Sequence, residues 1–280
     1  FGRYETDYWA LSIRQGVEWL EREGILSQDR PEPVVIATNM FYPLRRLTYK
    51  YGDDKVQIKY LRWERRCDDT WDYAFYTSRF VSGASLQKDA WPPSNTAHTI
   101  SADGVPLLAI LKNDANDCAE GMQALKNNDI ETAIAALQRE TARNSDNEVA
   151  WTGLATALLN AQRLDEMKQA AEKALSITPD ETQASNLIGM YYMYQNRNAE
   201  AKAHFEKSLR QEPANAGAWY YLAVIASNQR DFSGALNCLN KATEVNPNFR
   251  MAYELAANIY EQQGNPQRAA QIRAAVQNMR

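Results

Sequence analysis

Two histidines, three cysteines and one cluster of aspartates are the side chains of this sequence with the reactivity to run a reaction, and their spacing limits what they can do. His98 and His204 are too few and too separated for a zinc site or a cysteine–histidine pair, and His204 reads as a surface residue on a helix. Cys67, Cys118 and Cys238 lie far apart and leave one over however they pair, so neither a disulfide framework nor a metal cluster is signalled. Asp68, Asp69 and Asp72 follow Arg62, Arg65 and Arg66. Acid–base carboxylate pairs work across a cleft, which sequence neighbours rarely give, so this stretch reads as a charged loop between strands. Glycine-rich phosphate loops, a serine nucleophile elbow and a catalytic cysteine context are all absent from the sequence. The expectation is a chain with no catalytic residues, no cofactor and no metal of its own.

The elements that position these residues belong to an ordinary globular composition. The 280 residues are 45% apolar and 24% charged, enough for two domains and too apolar for wholesale disorder. The longest nearly apolar run, Val105–Leu111, falls far short of the roughly 20 residues a bilayer crossing needs. A net charge of −4, with no basic surplus in either half, excludes nucleic acid as a partner. The first residue is Phe rather than Met, and a helix-like segment follows at once, so the chain reads as a fragment or a processed form.

A period of 34 residues governs the region 114–280. Trp151, Ser185, Trp219 and Tyr253 repeat at that interval, as do Ala155, Gly189, Ala223 and Ala257. Met167, Ala201, Ala235 and Ala269 form a third column, and Pro179, Pro213 and Pro247 a fourth that ends each helical pattern. Backward extension puts Gly121, Ala124, Ala133 and Leu137 in register, giving about five units starting near 114, 148, 182, 216 and 250. The period, the Trp-x-x-Leu-Ala opening of Trp219–Ala223, the mid-repeat Ala and the closing Pro resemble tetratricopeptide repeats. The resemblance implies helical hairpins stacked into a superhelix, with Gly189 or Ala223 facing Ala201 or Ala235 and the aromatics filling the space between hairpins. It also implies a concave groove lined by Asn186, Met190 and Tyr194, by Tyr220, Val224 and Asn228, and by Glu254, Asn258 and Gln262. Amides and tyrosines stand where carboxylate-clamping relatives project basic residues, so a peptide C-terminus fits poorly. A peptide or protein partner in the groove and a purely scaffolding use both remain open.

Residues 1–113 have a different texture, holding 17 of the 29 aromatic residues. Trp9, Ile13, Val17 and Leu20 mark one face of a helix from about Glu5 to Gly24. Strands are expected at 33–38, 56–60, 72–79, 96–100 and 105–111, with a helix at about 43–51 and a further helix before residue 96. Asp103-Gly104 supplies the turn of a closing hairpin. The order suggests a small α/β domain of five or six strands covered by helices, followed by the all-α superhelix of about five tetratricopeptide repeats.

An ordered set of short motifs adds a second resemblance. Tyr4-Glu-Thr-Asp-Tyr-Trp9, Glu18-Trp19-Leu20, Tyr73–Phe80, Trp91-Pro92-Pro93 and Asp103-Gly-Val-Pro106 are together similar to the soluble C-terminal region of bacterial membrane glycosyltransferases related to protein O-mannosyltransferases. This resemblance implies an upstream membrane domain that carries catalysis, so no residue here inherits a catalytic role. It places the chain on the periplasmic side of the inner membrane, as an accessory module docking an acceptor protein or the membrane domain of its own parent chain. Tyr4, Asp7, Tyr8 and Trp9 with Arg79 and Trp91 then offer a sugar or acceptor surface, although core packing of an aromatic-rich domain explains the same residues. The alternative is a free-standing, cytoplasmic tetratricopeptide adaptor with no enzymatic role. A small-molecule hydrolase or transferase built on the α/β domain is the third reading.

Overall fold

The computed structural model describes residues 2–26, 31–81, 83, 86 and 91–277, with side chains from residue 11 onward. The chain divides into two compact units, Phe1–Arg163 with Ser176–Pro179, and Leu164–Leu175 with Asp180–Arg280.

The first unit opens with helix α1 (Gly2–Arg22), whose Ile13, Val17 and Leu20 are buried at the expected helical spacing. Gly24, at φ +72°, ends it. Gly16 sets how closely the helix lies on the sheet, since a Cβ there would stand 2.7 Å from the Phe75 ring. The sheet comprises β1 (Val34–Thr38), β2 (Val56–Tyr60), β3 (Tyr73–Thr77), β4 (Thr96–Ala102) and β5 (Val105–Lys112), with α2 (Phe41–Thr48) between β1 and β2. Its order is β2-β1-β3-β5-β4. β1 runs parallel to β2 and β3, whereas β5 is antiparallel to β3 and β4. Asp103 and Gly104 both take positive φ, as the tight turn between β4 and β5 requires.

Side-chain alternation along these strands builds two cores. One face packs Val34, Ile36, Phe75, Leu108 and Ile110 under α1 and α2. On the other face Trp63, Trp71 and Trp91 close over Ala37, Ala74, Tyr76 and Leu111. The small alanines of β1 and β3 leave room for the large rings. The helix expected before β4 lies largely outside the described residues.

Three helices complete this unit, α3 (Asp117–Lys126), α4 (Ile130–Arg143) and α5 (Glu148–Asn160). α3 and α4 meet at Gly121, where a Cβ would stand 2.5 Å from Leu137 Cγ. The cysteines correct the sequence expectation. Cys67, in the loop after β2, forms a disulfide with Cys118 in the first turn of α3 across a Cα–Cα distance of 5.2 Å. A separation of 51 positions hid the pairing, because only the fold brings that loop against that helix.

The helices α6 (Leu164–Ile177), α7 (Thr182–Tyr194), α8 (Asn198–Gln211), α9 (Ala216–Asn228), α10 (Phe232–Val245), α11 (Arg250–Gln262) and α12 (Pro266–Gln277) follow. In the second unit Ala223 and Ala235 are fully buried in one cluster with Leu239 and Ile259, as the small-residue columns predict. Gly189 departs from the expected partner: its nearest neighbour is the Phe205 ring, at 2.8 Å from an added Cβ, rather than Ala201 one turn earlier. The period also appears in the backbone. Asn128, Gln162, Asn196, Arg230 and Gly264, each 34 residues after the last, all have φ between +58° and +76° where a first helix turns into a second. A second column caps the first helices, since Asn147, Glu181 and Asn215 accept hydrogen bonds from the backbone N–H of Ala150, Ala184 and Ala218.

Candidate functional site

The nine residues expected to line a groove all fall on the first helices of the second unit's hairpins, at helical spacing along α7, α9 and α11. Tyr194, Asn228, Glu254, Asn258 and Gln262 are exposed, and Asn186, Met190, Tyr220 and Val224 are half-buried. Several have work inside the fold. Asn186 donates from Nδ2 to Asn215 Oδ1 at 3.4 Å, while its own Oδ1 is buried without a partner among the described residues. Tyr220 packs against the Phe249 ring at 5.3 Å, and burial, with Glu254 nearby, pushes its hydroxyl pKa up. Asn258 Oδ1 accepts from Arg273 at 2.8 Å, which ties α11 to α12. Tyr194, 60% exposed, is the aromatic ring of the nine that solvent reaches most freely.

Of the second candidate surface, Arg79 and Trp91 have described side chains. Trp91 is a core residue, 7% exposed, with its ring against Trp63 at 5.1 Å, so it offers no face for a sugar. Arg79 is exposed in the short turn after β3, next to the Phe80 ring. The side chains of Tyr4, Asp7, Tyr8 and Trp9 lie outside the described residues. The aspartates are a charged loop, as expected: Asp69 accepts from Lys59 Nζ at 2.8 Å, Asp68 pairs with Arg65, and Asp72 Oδ2 accepts from the Val35 N–H at 2.8 Å. His204 corrects its expectation, being half-buried and stacked on Tyr192 at 5.6 Å, with Nδ1 buried and unpartnered among the described residues.

The densest polar arrangement has no counterpart among the sequence expectations. Arg66 lies 3.8 Å over the Trp63 ring, donates to the Trp63 carbonyl at 2.9 Å, and forms an ion pair with Glu148 at the start of α5. Asn147, the α5 cap, accepts from Arg66 Nη2 at 2.9 Å and donates to Glu140 at 2.8 Å. Beside it Asp146 Oδ1 accepts from the Ser94 hydroxyl at 2.8 Å. With the Cys67–Cys118 bond, these contacts pin α3 and α5 to the sheet's aromatic face. The arrangement anchors structure. Arg66 adjoining Cys67, and an Asn recurring at the capping position, were the available signals. Among the described residues no cluster of His, Cys, Asp or Glu is arranged to hold a metal, and no helix is long and apolar enough to cross a membrane.

Tetratricopeptide-repeat family models match residues 118–182 and 192–259. These segments are tetratricopeptide repeats. Among curated relatives, the human Protein O-mannosyl-transferase TMTC3 is 31% identical over 106 residues, 38% of this chain and 12% of that protein. ER membrane protein complex subunit 2 of Xenopus tropicalis is 29% identical over 103 residues, 37% of this chain and 35% of that protein. The chain therefore spans about an eighth and a third of the curated relatives it matches. A solved structure of TTC0263, a thermophilic TPR protein of Thermus thermophilus, covers 57% of this chain and 87% of its own at a TM-score of 0.52 and 15% identity, a likeness of fold alone. The tetratricopeptide repeats make this part of the chain a protein-interaction module.

Proposed function

We propose that the chain is the extracytoplasmic accessory module of a membrane glycosyltransferase of the O-mannosyltransferase type, and that its repeats dock the acceptor protein. The observation that carries this reading is the similarity to the human O-mannosyl-transferase. Two features support it. A disulfide between Cys67 and Cys118 suits an oxidising compartment outside the cytoplasm. The row Tyr194, Asn228, Glu254 and Gln262 presents amides, a phenol and a carboxylate, which suit an extended polypeptide better than a free carboxylate terminus. Catalysis then belongs to the membrane domain, and this module raises the local concentration of acceptor beside it.

In-cell photo-crosslinking tests the reading. A benzophenone amino acid at Tyr194 is expected to capture proteins that carry O-linked sugar, whereas the same group at Lys202, exposed on α8, captures few. Equal capture from both positions overturns groove docking. Capture through Tyr194 of proteins without sugar favours the free-standing adaptor, for which the exposed row speaks equally.

A further inference from the structure

The carboxyl ends of the three parallel strands carry a feature that neither the repeats nor the disulfide junction explains. Asn39, directly after β1, has both side-chain polar atoms, Nδ2 and Oδ1, buried without a hydrogen-bond partner among the described residues. Leaving a buried amide unpaired is costly, and such groups are rare in folded proteins. Two adjoining depressions meet at this residue and share Tyr60, the last residue of β2. One, of about 420 Å³, is lined by Met40, Phe41, Tyr42 and Pro43; the other, of about 340 Å³, is lined by Arg62, Trp63, Glu64 and Phe80. Both fall in the range of small-ligand sites. Large rings stand in solvent around them, with Tyr42 83%, Tyr60 56% and Phe80 42% exposed.

The topology gives an independent reason for a site here. β1 is flanked by β2 on one side and β3 on the other, both parallel to it, so the chain reverses its direction of travel across the sheet at β1. Open parallel sheets bind ligands outside the carboxyl ends of the strands at such a switch point.

We propose that this depression binds a carbohydrate, with Asn39 as the hydrogen-bonding anchor and Tyr60 and Tyr42 as stacking faces. The chemistry selects that class. An amide supplies one donor group and one acceptor, matching the vicinal hydroxyls of a sugar ring, each of which both gives and takes a hydrogen bond. Exposed aromatic faces accept the apolar side of a pyranose. Arg62 and Glu64 contribute one charge of each sign, which favours a neutral ligand over a phosphate, and no glycine-rich loop is present to cradle an anion. Because both amide atoms are buried, binding requires the Asn39 side chain to turn about its Cα–Cβ bond, so that the ligand's hydroxyls replace the missing partners. This site stands apart from groove docking by the repeats, and either holds without the other.

Saturation-transfer NMR on the full chain, with the methyl glycosides of glucose, mannose, galactose and N-acetylglucosamine as probes and adenosine monophosphate as the anionic comparison, tests the site. At least one glycoside is expected to receive saturation, and the signal is expected to fall at least tenfold in Asn39→Ala and in Tyr60→Ala. Because Asn39→Ala removes an unpaired amide, its thermal midpoint should match or exceed that of the native chain; an anchor of the fold would behave in the opposite way. Should Asn39→Ala unfold the chain, Tyr42→Ala, at a solvent-exposed ring, carries the test with the same expected loss. No transfer to any glycoside, transfer to the nucleotide alone, or undiminished transfer in Tyr60→Ala and Tyr42→Ala overturns the proposal.

Discussion

Arg66 and Glu148, 82 positions apart, form a buried ion pair: Nη1 lies 3.0 Å from Oε1, and the two side chains are 6% and 7% exposed. The pair joins the loop after β2 to the first turn of α5. A buried charge that loses its partner is expensive, whereas replacing both partners with apolar groups is often neutral. Glu148→Ala is expected to destabilise the first unit by about 3–5 kcal/mol, and the Arg66→Met, Glu148→Leu double variant by much less. Urea denaturation of the three proteins measures this; equal losses in the single and double variants would contradict it.

Reduction of the Cys67–Cys118 bond removes a crosslink that closes a loop of 51 positions. Loss of about 2–4 kcal/mol is expected, seen as a lower thermal midpoint in dithiothreitol. Cys238 supplies the control. It is free and half-buried, and burial pushes its thiol pKa up, so Cys238→Ser should leave the response to reductant intact. A midpoint indifferent to dithiothreitol would show that the bond does not brace the fold.

Two helix–turn–helix positions should respond oppositely to glycine chemistry. Gly189→Ala places a methyl 2.8 Å from the Phe205 ring and is expected to cost about 1–3 kcal/mol, despite alanine's better helix propensity. Arg230 holds φ +63° on a side chain that disfavours it, so Arg230→Gly is expected to stabilise by about 1 kcal/mol. Differential scanning calorimetry decides both signs.

The two histidines set a pH response. Burial lowers the pKa of His98, which stacks on Trp19 at 5.0 Å, with Arg22 adding to the effect. Burial likewise lowers that of His204, with Lys207 assisting. In both cases the fold favours the neutral ring, so the unfolded chain binds protons first as pH falls. Their contribution is present above about pH 6.5, the unperturbed histidine value, and is lost on acidification below it. The midpoint should therefore fall between about pH 7 and about pH 5.5, and His98→Phe with His204→Phe should flatten the slope. An unchanged slope would place the response elsewhere.

Periodic and local signals were legible in the sequence because a helix or strand is decided by neighbours. The 34-residue columns, the helix face of Ile13, Val17 and Leu20, and the Asp103-Gly104 turn each express a preference that a few adjacent residues already satisfy. The helix positions of the groove candidates were readable for the same reason, since a fixed period puts Asn186, Tyr220 and Glu254 at equivalent places on successive helices.

What only the tertiary structure decided involves pairs far apart in the chain. Cys67 meets Cys118, Arg66 meets Glu148, and Trp91 turns inward onto Trp63, because the small Ala37 and Ala74 leave one sheet face to be filled by rings from outside the strands. Asn39 belongs to this group as well. Any asparagine after a strand looks like an ordinary turn residue in sequence, and its unpaired state exists only once the fold has buried its amide atoms. Burial and pairing are properties of three-dimensional neighbours, and no local propensity encodes them.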